Sequence, residues 1–491
     1  MQTKSNVPPM NFFVNRAMGV GNSGIEHAEF YRAHRFDEAH LPYRLVFVQL
    51  IKNLHEAMDK WHLKNQQVVN MYEYFVLGER YLTDGVQQFY EYQDRQVADK
   101  HGVPLLLETI TSSGIHIVET MIRYQKPQDL FMASKVELFE QATGDRKVTF
   151  NFYRTNHQQT VIRNIHLFKQ NGKHLFFWNE IQVQRYFFAQ LDLAFGSKSN
   201  WFLDRGEESE VALFYPKFPN SKVIEMVHAD HLSDRNDPNH PLWNNYYEYS
   251  LTHLDQIDLV ISATEIQTQD FLKDFPNDKH KFITIPVGGV SDNHKPIKPK
   301  WHPGKQLHLV TASRLAGEKH IDIAVRAVAK IKQQGYDVTF DIYGIGSQNK
   351  IISDIIATSS AGDYIHLKGF SSELEKVYPK YDAFLTASFS EGFGLSTVEA
   401  LNAGLPVIGY NARFGSLEMI HDGQNGFLEP FKVGDDNLYF NVNSLARGIK
   451  RLLDCDYPQV CQATQTTMEQ FRHREITRKW EEVVHALRIS E

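Results

Sequence analysis

The chain of 491 residues has only two cysteines, Cys455 and Cys461. Two thiols near the end of the chain cannot form a disulfide framework or a cysteine-based zinc site. Long apolar runs are also missing, because stretches such as residues 45–51 fall far short of the roughly 20 residues that a membrane-spanning helix needs. The opening MQTKSNVPPMN lacks the charged and apolar blocks of a signal peptide. These absences predict a soluble protein of the reducing cytoplasm.

Positive charge is also in deficit, with 52 Lys and Arg against 59 Asp and Glu and a net charge of −7. This sign disfavours bare nucleic acid or an anionic membrane as the main partner, although it is compatible with a local basic cleft. Hydrophobic residues make up 42% of the chain, including 33 Phe and 22 Tyr, which excludes general disorder. The length predicts about two to four domains.

Hydrophobic patterns divide the chain into two α/β halves. Strand and helix signals alternate in residues 11–36, resume at residues 223–290, and begin again after a connector at residues 292–305. The aromatic-rich segment between the first two stretches predicts a β-rich insertion, and Asn171-Gly172 predicts a type I′ hairpin turn within it. We therefore expect an α/β protein with two Rossmann-like domains facing a cleft. The predicted boundaries are 1–50 with 204–291 for the first domain, 51–203 for the insertion, 306–470 for the second domain, and 471–491 for a helix that packs back toward the first domain.

The segment FSEGFGLSTVEAL follows a predicted strand and opens a helix. A glycine-bearing loop at a helix N-terminus can bind a phosphate through free backbone N–H groups. The two carboxylates, Glu391 and Glu399, would then contact different ends of one ligand, with Glu399 directed toward the sugar hydroxyls of a nucleotide. The predicted anion site comprises Glu391, Gly392, Phe393, Gly394, Leu395, Ser396 and Glu399.

Arg314 and Lys319 have the same placement after another strand, in VTASRLAGEKHID. The carboxyl ends of parallel strands meet at one edge of a sheet, so these cations should converge with the acidic loop in a crevice. Two cations at that edge would stabilise a departing diphosphate.

The loop Gly19-Val20-Gly21-Asn22-Ser23-Gly24 lies between a strand and a helix and could face the same crevice. Neither this loop nor Gly344-Ile345-Gly346 completes the Gly-x-Gly-x-x-Gly pattern, which disfavours a nicotinamide oxidoreductase.

His228 follows a buried strand, where its imidazole could donate to a sugar hydroxyl or a carbonyl. Asp230 and His231 are close by, but no third ligand has informative spacing, so we expect no metal site. The Asp-x-Asp at residues 454–456 lies outside the crevice motifs, and metal-assisted departure of a diphosphate is therefore not expected.

In this order the motifs resemble the retaining GT-B glycosyltransferases of the GT4 type, whose signature is Glu-x7-Glu, here Glu391 to Glu399. The segments VHADH, LWNNYYEYS and EGFGLSTVEALNAGLPVIGY are more specifically similar to GtfA-type catalytic subunits. These belong to the protein O-glycosyltransferases that modify serine-rich adhesins in accessory Sec systems. The similarity is weakest between about residues 50 and 200. Teichoic-acid α-glucosyltransferases share the same plan.

The resemblance implies roles for the residues singled out above. It makes Glu399 a ribose contact, Arg314 and Lys319 the diphosphate clamp, and Glu391 and His228 contacts of the donor sugar. It places the backbone near Leu367 and Lys368 in the uracil pocket. The remaining residues assigned to the donor are Gly21, Ser23, Gly24, Gly392, Phe393, Gly394, Leu395 and Ser396.

The resemblance implies a metal-independent, retaining hexosyltransferase that uses UDP-GlcNAc or UDP-glucose and no further cofactor. Its acceptor would be Ser or Thr hydroxyls of a serine-rich polypeptide, and it would act in the cytoplasm with a GtfB-like co-activator bound largely through the β-rich insertion. Such a complex would associate peripherally with the inner face of the membrane. Two alternatives remain open at this point: a polyol-phosphate glucosyltransferase and a non-catalytic, acceptor-binding partner. The four side chains Arg314, Lys319, Glu391 and Glu399 favour the enzyme, since an inactive partner has no need of them.

Overall fold

A computed structural model describes residues 8–21, 24–124, 130–155, 159–206, 208–235, 237, 240–293, 299 and 301–489. The chain opens with alternating strands and helices. The run NFFVN forms a strand because its apolar residues can be buried on both faces of a parallel sheet. The first elements are β1 (Met10–Asn15), α1 (Gly24–Glu38), β2 (Tyr43–Phe47), α2 (Leu54–Lys60), β3 (Val68–Asn70), α3 (Met71–Leu77) and α4 (Arg80–Asp84).

Seven antiparallel strands follow and form a sheet of their own, in the order of the chain. The predicted hairpin is confirmed, because the last two strands pair across Asn171 and Gly172, whose φ angles are +47° and +75°. The strands are β4 (Gln93–Ala98), β5 (Pro104–Ile110), β6 (Ile115–Tyr124), β7 (Leu130–Glu140), β8 (Arg146–Arg154), β9 (Thr160–Gln170) and β10 (Lys173–Asn179).

The alternation of strands and helices then returns and completes the first half. Its elements are α5 (Glu180–Ala194), β11 (Ser199–Leu203), α6 (Glu208–Phe214), β12 (Ser221–Val227), β13 (Leu232–Asp234), β14 (Leu242–Trp243), α7 (Glu248–Thr252), β15 (Leu259–Ser262), α8 (Glu265–Asp274) and β16 (Phe282–Thr284). The parallel sheet has the order β16-β15-β12-β11-β1-β2-β3. The antiparallel sheet covers only residues 93–179 of the predicted insertion at 51–203. Strands β3 and β11, which also lie within 51–203, pair in the parallel sheet instead.

The second half contains a parallel sheet in the order β19-β18-β17-β20-β22-β24. Its elements are β17 (Leu307–Ala312), α9 (Ile321–Gln333), β18 (Val338–Tyr343), α10 (Asn349–Thr358), β19 (Ile365–Gly369), α11 (Leu374–Val377), β20 (Ala383–Leu385), β21 (Ser390–Glu391), α12 (Leu395–Asn402), β22 (Val407–Tyr410), β23 (Arg413–Phe414), α13 (Gly415–Met419), β24 (Gly426–Glu429), α14 (Leu438–Leu453), α15 (Tyr457–Met468) and α16 (His473–Ile489). The prediction of two Rossmann-like sheets is confirmed. Part of the predicted connector, residues 294–298 and 300, lies outside the described residues.

Buried side chains join these units. One cluster runs from the antiparallel sheet into the first parallel sheet and includes Leu138, Phe150 and Trp201. Another spans the two halves, with Val287 from the first and Phe393 from the second. The last helix, α16, packs on α1, and the ring of its Trp480 lies 5.5 Å from that of Phe36 in the first half. In the part of the chain described, no helix is long and apolar enough to span a bilayer.

Candidate active site at the strand ends

The structure brings Lys319 and Glu391 together at the carboxyl edge of the second parallel sheet. Lys319 ends a short 3₁₀ turn after β17, and its Nζ donates to Oε1 of Glu391 on β21 at 2.5 Å. Each side chain is about one-fifth exposed. The motifs predicted to converge therefore contact each other directly.

Arg314 lies at the same edge and remains exposed, with 62% of its side chain accessible. Its guanidinium donates to Glu318, four residues further along the chain, at 2.9 Å. An exposed ion pair of this kind contributes little free energy, so an incoming phosphate can replace Glu318 as the partner of Arg314.

The loop before α12 has the geometry of an anion site. Gly394 caps this helix with a φ of +91°, a conformation that L side chains rarely adopt. The N–H groups of Leu395 and Ser396 lie in the first turn, where an α-helix provides no acceptor of its own. Phe393 is buried between the halves and anchors the loop. The first N–H groups and the positive end of the helix dipole therefore lie at the end of the loop that carries Glu391, where an anion can bind.

Glu399 lies on the second turn of α12, between the buried residues Val398 and Ala400. The hydroxyl of Tyr378 donates to its Oε2 at 3.3 Å. Burial raises the pKa of Glu399 to about 7; this hydrogen bond opposes the shift, and the charge of Glu375 adds to it. Sugar hydroxyls could also donate to this carboxylate.

His228 follows β12 in the first half and reaches the same loop from the other side. A Cβ on Gly392 would lie only 2.2 Å from the carbonyl oxygen of His228, so the close approach requires glycine there. The two residues come from different halves of the chain, and their contact brings the backbone of His228 against the loop that carries Glu391.

Sequence reasoning missed the two residues that hold His228. Nε2 of His228 lies 2.8 Å from Oδ1 of Asp204, and Asp204 is also paired with Arg32. Burial disfavours the ionised form of Asp204, but the charges and hydrogen bonds of Arg32 and His228 outweigh burial and lower the pKa of Asp204. The available signal was the position of Asp204 directly after the buried strand NWFL.

His231 is a core residue instead of a metal ligand. Its ring stacks on Phe271 at a centroid distance of 3.9 Å, and its Nε2 lies 3.0 Å from Asp274. Asp230 accepts a hydrogen bond from Arg235 at 2.7 Å. Within the described ranges, no group of three or more His, Cys, Asp or Glu side chains could hold a metal ion.

The remaining residues predicted to contact the donor lie on the edge strand β19 and in the glycine loop before α1. Leu367 and Lys368 lie on the edge strand β19, where Nζ of Lys368 is 3.6 Å from Asp341. Gly24 begins α1, and added Cβ atoms at Gly21 and Gly24 would meet no atom within 4 Å, so this loop borders open space. Ser23 lies outside the described residues. The glycines in Gly344-Ile345-Gly346 press against the carbonyls of Ser313 and Leu315, which gives them a structural role.

Residues 293–468 match the family model described as glycosyl transferases group 1. The GtfA subunit of a UDP-N-acetylglucosamine–peptide N-acetylglucosaminyltransferase from Streptococcus gordonii is 30% identical over 454 residues, covering 85% of this chain and 87% of the relative.

Two solved structures resemble the whole chain and confirm the predicted GT-B fold. A chain of a GtfA/B complex has a TM-score of 0.72 and 26% identity, covering 98% of this chain and 99% of that one. The pneumococcal O-GlcNAc transferase GtfA in complex with UDP and GlcNAc has a TM-score of 0.70 and 25% identity, with the same coverage. Strand-end site, fold and sequence agree, and the chain belongs to the family of the GtfA subunits of UDP-N-acetylglucosamine–peptide N-acetylglucosaminyltransferases.

Proposed function

We propose that this chain is a catalytic subunit that transfers GlcNAc from UDP-GlcNAc to Ser or Thr hydroxyls of a serine-rich polypeptide. The transfer retains the anomeric configuration, needs no metal ion and takes place in a complex with a GtfB-like co-activator in the cytoplasm. The names of the S. gordonii relative and the pneumococcal structure support this donor, and the GtfA/B complex supports the partner.

One observation carries the proposal. Lys319 is bonded to Glu391 in the loop just before α12, Glu399 lies on that helix, and the backbone of His228 in the other half packs against Gly392 of the same loop. This arrangement matches the chemistry of a nucleotide sugar. Positive groups can bind its diphosphate, and carboxylates can accept hydrogen bonds from the hydroxyls of its two sugars. A binding partner without activity would have no use for this arrangement.

The developing negative charge on UDP is stabilised by this chain's own groups. The ammonium of Lys319 has three N–H donors, so it can keep its bond to Glu391 and still donate to a phosphate oxygen. Arg314 adds a planar guanidinium, and the first N–H groups of α12 add partial positive charge. Fixed donors aimed at the leaving group lower the barrier because they need no rearrangement during the reaction.

Glu391 and His228 contact the donor sugar in this proposal. Glu391 is held in one direction by Lys319, and His228 by Asp204. Orientation of the sugar between two fixed side chains supplies much of the rate enhancement, since the reacting groups lose no further freedom in the transition state.

The outer surface of the antiparallel sheet is the proposed contact with the co-activator. One face of this sheet is buried against α3 and α5 through residues such as Leu138 and Phe150. The edge strand β10 exposes the large side chains of Phe176 and Trp178, which are 52% and 58% accessible. Exposed aromatic side chains beside an unpaired strand edge are typical of a protein interface.

The decisive experiment incubates the purified chain, with and without its co-expressed partner, with a serine-rich peptide and either UDP-GlcNAc or UDP-glucose. We expect the peptide to gain the mass of N-acetylhexosamine, only with UDP-GlcNAc, and to do so equally in EDTA. An α-linkage by NMR would establish retention. Transfer only from UDP-glucose, or only to a polyol phosphate, would contradict the proposal.

A further inference from the structure

Asp204 lies in a fully buried ion pair beneath the candidate site. It follows β11, and both of its carboxylate oxygens accept hydrogen bonds from the guanidinium of Arg32 on α1. The cation is fixed in turn by aromatic rings, with its Cζ 4.0 Å from the ring centroid of Phe13 and 5.8 Å from that of Trp480. The pair is therefore rigid, and its two charges balance each other.

Oδ1 of Asp204 also forms a hydrogen bond with His228. An ionised carboxylate only accepts hydrogen bonds, so the 2.8 Å contact requires that Nε2 of His228 carry the proton. The backbone of His228 is fixed as well, because its N–H donates to the hydroxyl of Tyr247 at 2.9 Å and its carbonyl touches Gly392. The imidazole is thus held in one orientation, with a proton on Nε2.

The other nitrogen of the ring, Nδ1, has no hydrogen-bond partner among the described residues, although only 5% of the side chain is exposed. In the neutral ring, a proton on Nε2 leaves a lone pair on Nδ1.

We propose that Asp204 is a positioning residue that fixes the Nε2–H tautomer of His228, so that Nδ1 accepts a hydrogen bond from a hydroxyl of the bound sugar. The proposal rests on the proposed function and deepens it. It also reverses the direction expected from the sequence, where the imidazole was a donor. Serine proteases use an ionised aspartate in the same way to select the tautomer of a histidine.

The test uses the full chain labelled with nitrogen-15 histidine, with nitrogen chemical shifts reporting the tautomer. In the wild type we expect a pyrrole-like Nε2 and a pyridine-like Nδ1 for His228, assigned by the loss of its signals in His228→Asn. In Asp204→Asn we expect Arg32 to keep its hydrogen bond to the carbonyl oxygen of the amide. The amide N–H₂ then donates to Nε2 of His228, so the ring carries its proton on Nδ1. Asp192→Asn is the control, because Asp192 is a buried aspartate bonded to Ser199 at the opposite end of β11.

Kinetics distinguish positioning from a general structural role. We expect Asp204→Asn to lower kcat/KM roughly tenfold or more, and to add little once His228→Asn has removed the ring. An equal loss in both backgrounds would overturn the proposal. If Asp204→Asn does not fold, the wild-type spectrum decides, since a proton on Nδ1 would refute the tautomer whatever the transfer assay shows. Absence of transfer by the wild type with its partner would refute the proposed function and leave this measurement intact.

Discussion

The backbone of Gly392 in the second half of the chain packs directly against the carbonyl of His228 in the first, and no side chain fits between them. This contact joins the loop that carries Glu391 to the strand that carries the imidazole. The geometry of the crevice therefore depends on an approach of two backbones that are distant in sequence.

Gly392→Ala should impair transfer, because the added methyl group would overlap the His228 carbonyl and separate the two sides of the crevice. We expect at least a tenfold lower kcat/KM for UDP-GlcNAc, since small displacements of reacting groups cost orders of magnitude in rate. Gly362→Ala is the matched control, because a Cβ there meets no atom within 4 Å. Equal activity of the two variants would show that the contact is dispensable.

Lys319→Met should abolish the stabilisation of the protein by UDP. The variant removes the cation proposed to bind the diphosphate and leaves Glu391 without its partner. A ligand that binds the folded state raises the thermal midpoint by an amount that grows with the logarithm of its affinity, so the shift with UDP reports the loss. Lys332→Met serves as the control, because Lys332 makes a similar ion pair with Asp337 at 2.6 Å on the surface of α9. A UDP shift that survives in Lys319→Met would remove Lys319 from the clamp.

Glu399→Gln should stabilise the unliganded protein at high pH. Burial raises the pKa of Glu399 from 4.5 to about 7, so the folded state holds this proton more tightly than the unfolded state. The stabilisation from protonation is complete below about pH 4.5 and is lost as the pH rises through about 7. A neutral glutamine does not lose it, so the stability advantage of the variant should grow as the pH rises through about 7.

Thermal midpoints of wild type and Glu399→Gln measured from about pH 5 to about pH 8 test this sign. A constant difference across the range would mean that Glu399 is ionised throughout. UDP binding should weaken in the variant, because the amide offers one acceptor where the carboxylate offers two.

Removal of the exposed aromatic rings of β10 should weaken binding of the co-activator. We expect the double variant Phe176→Ala and Trp178→Ala to lower affinity for the partner at least tenfold, because buried aromatic anchors dominate interface energetics. Its thermal midpoint alone should change little, since both side chains are exposed. Tyr439→Ala, an exposed aromatic on α14, is the control for pull-down and calorimetry. Unchanged affinity would place the interface elsewhere.

Local chemistry made much of the site predictable. The glycine at position 394 and the strand before it indicated an anion site, and the structure places that glycine at the helix cap. The partners of these residues were harder to infer. Strand-end placement predicted that Lys319 would converge with the loop of Glu391, 72 residues further on, but not that the two side chains would form an ion pair. No pattern in the sequence related Arg32 to Asp204, 172 residues away.

The limits of the insertion likewise depended on long-range pairing and not on local sequence. The segment Val68–Asn70 falls within the predicted insertion at 51–203, and its apolar residues suit a buried strand of any sheet. Its membership in the parallel sheet depends on pairing with β2, which is a matter of tertiary register.

The sequence by itself determined the two α/β halves, the hairpin at Asn171-Gly172, the helical position of Glu399 and the strand-end positions of Arg314, Lys319, Glu391 and His228. Periodicity and backbone preference act over a few residues and can be read directly from the chain. The tertiary structure alone decided that Lys319 pairs with Glu391, that Gly392 touches His228 and that Asp204 with Arg32 holds the imidazole. Those contacts follow from strand order and from the packing of two halves, which bring together residues that no local pattern relates.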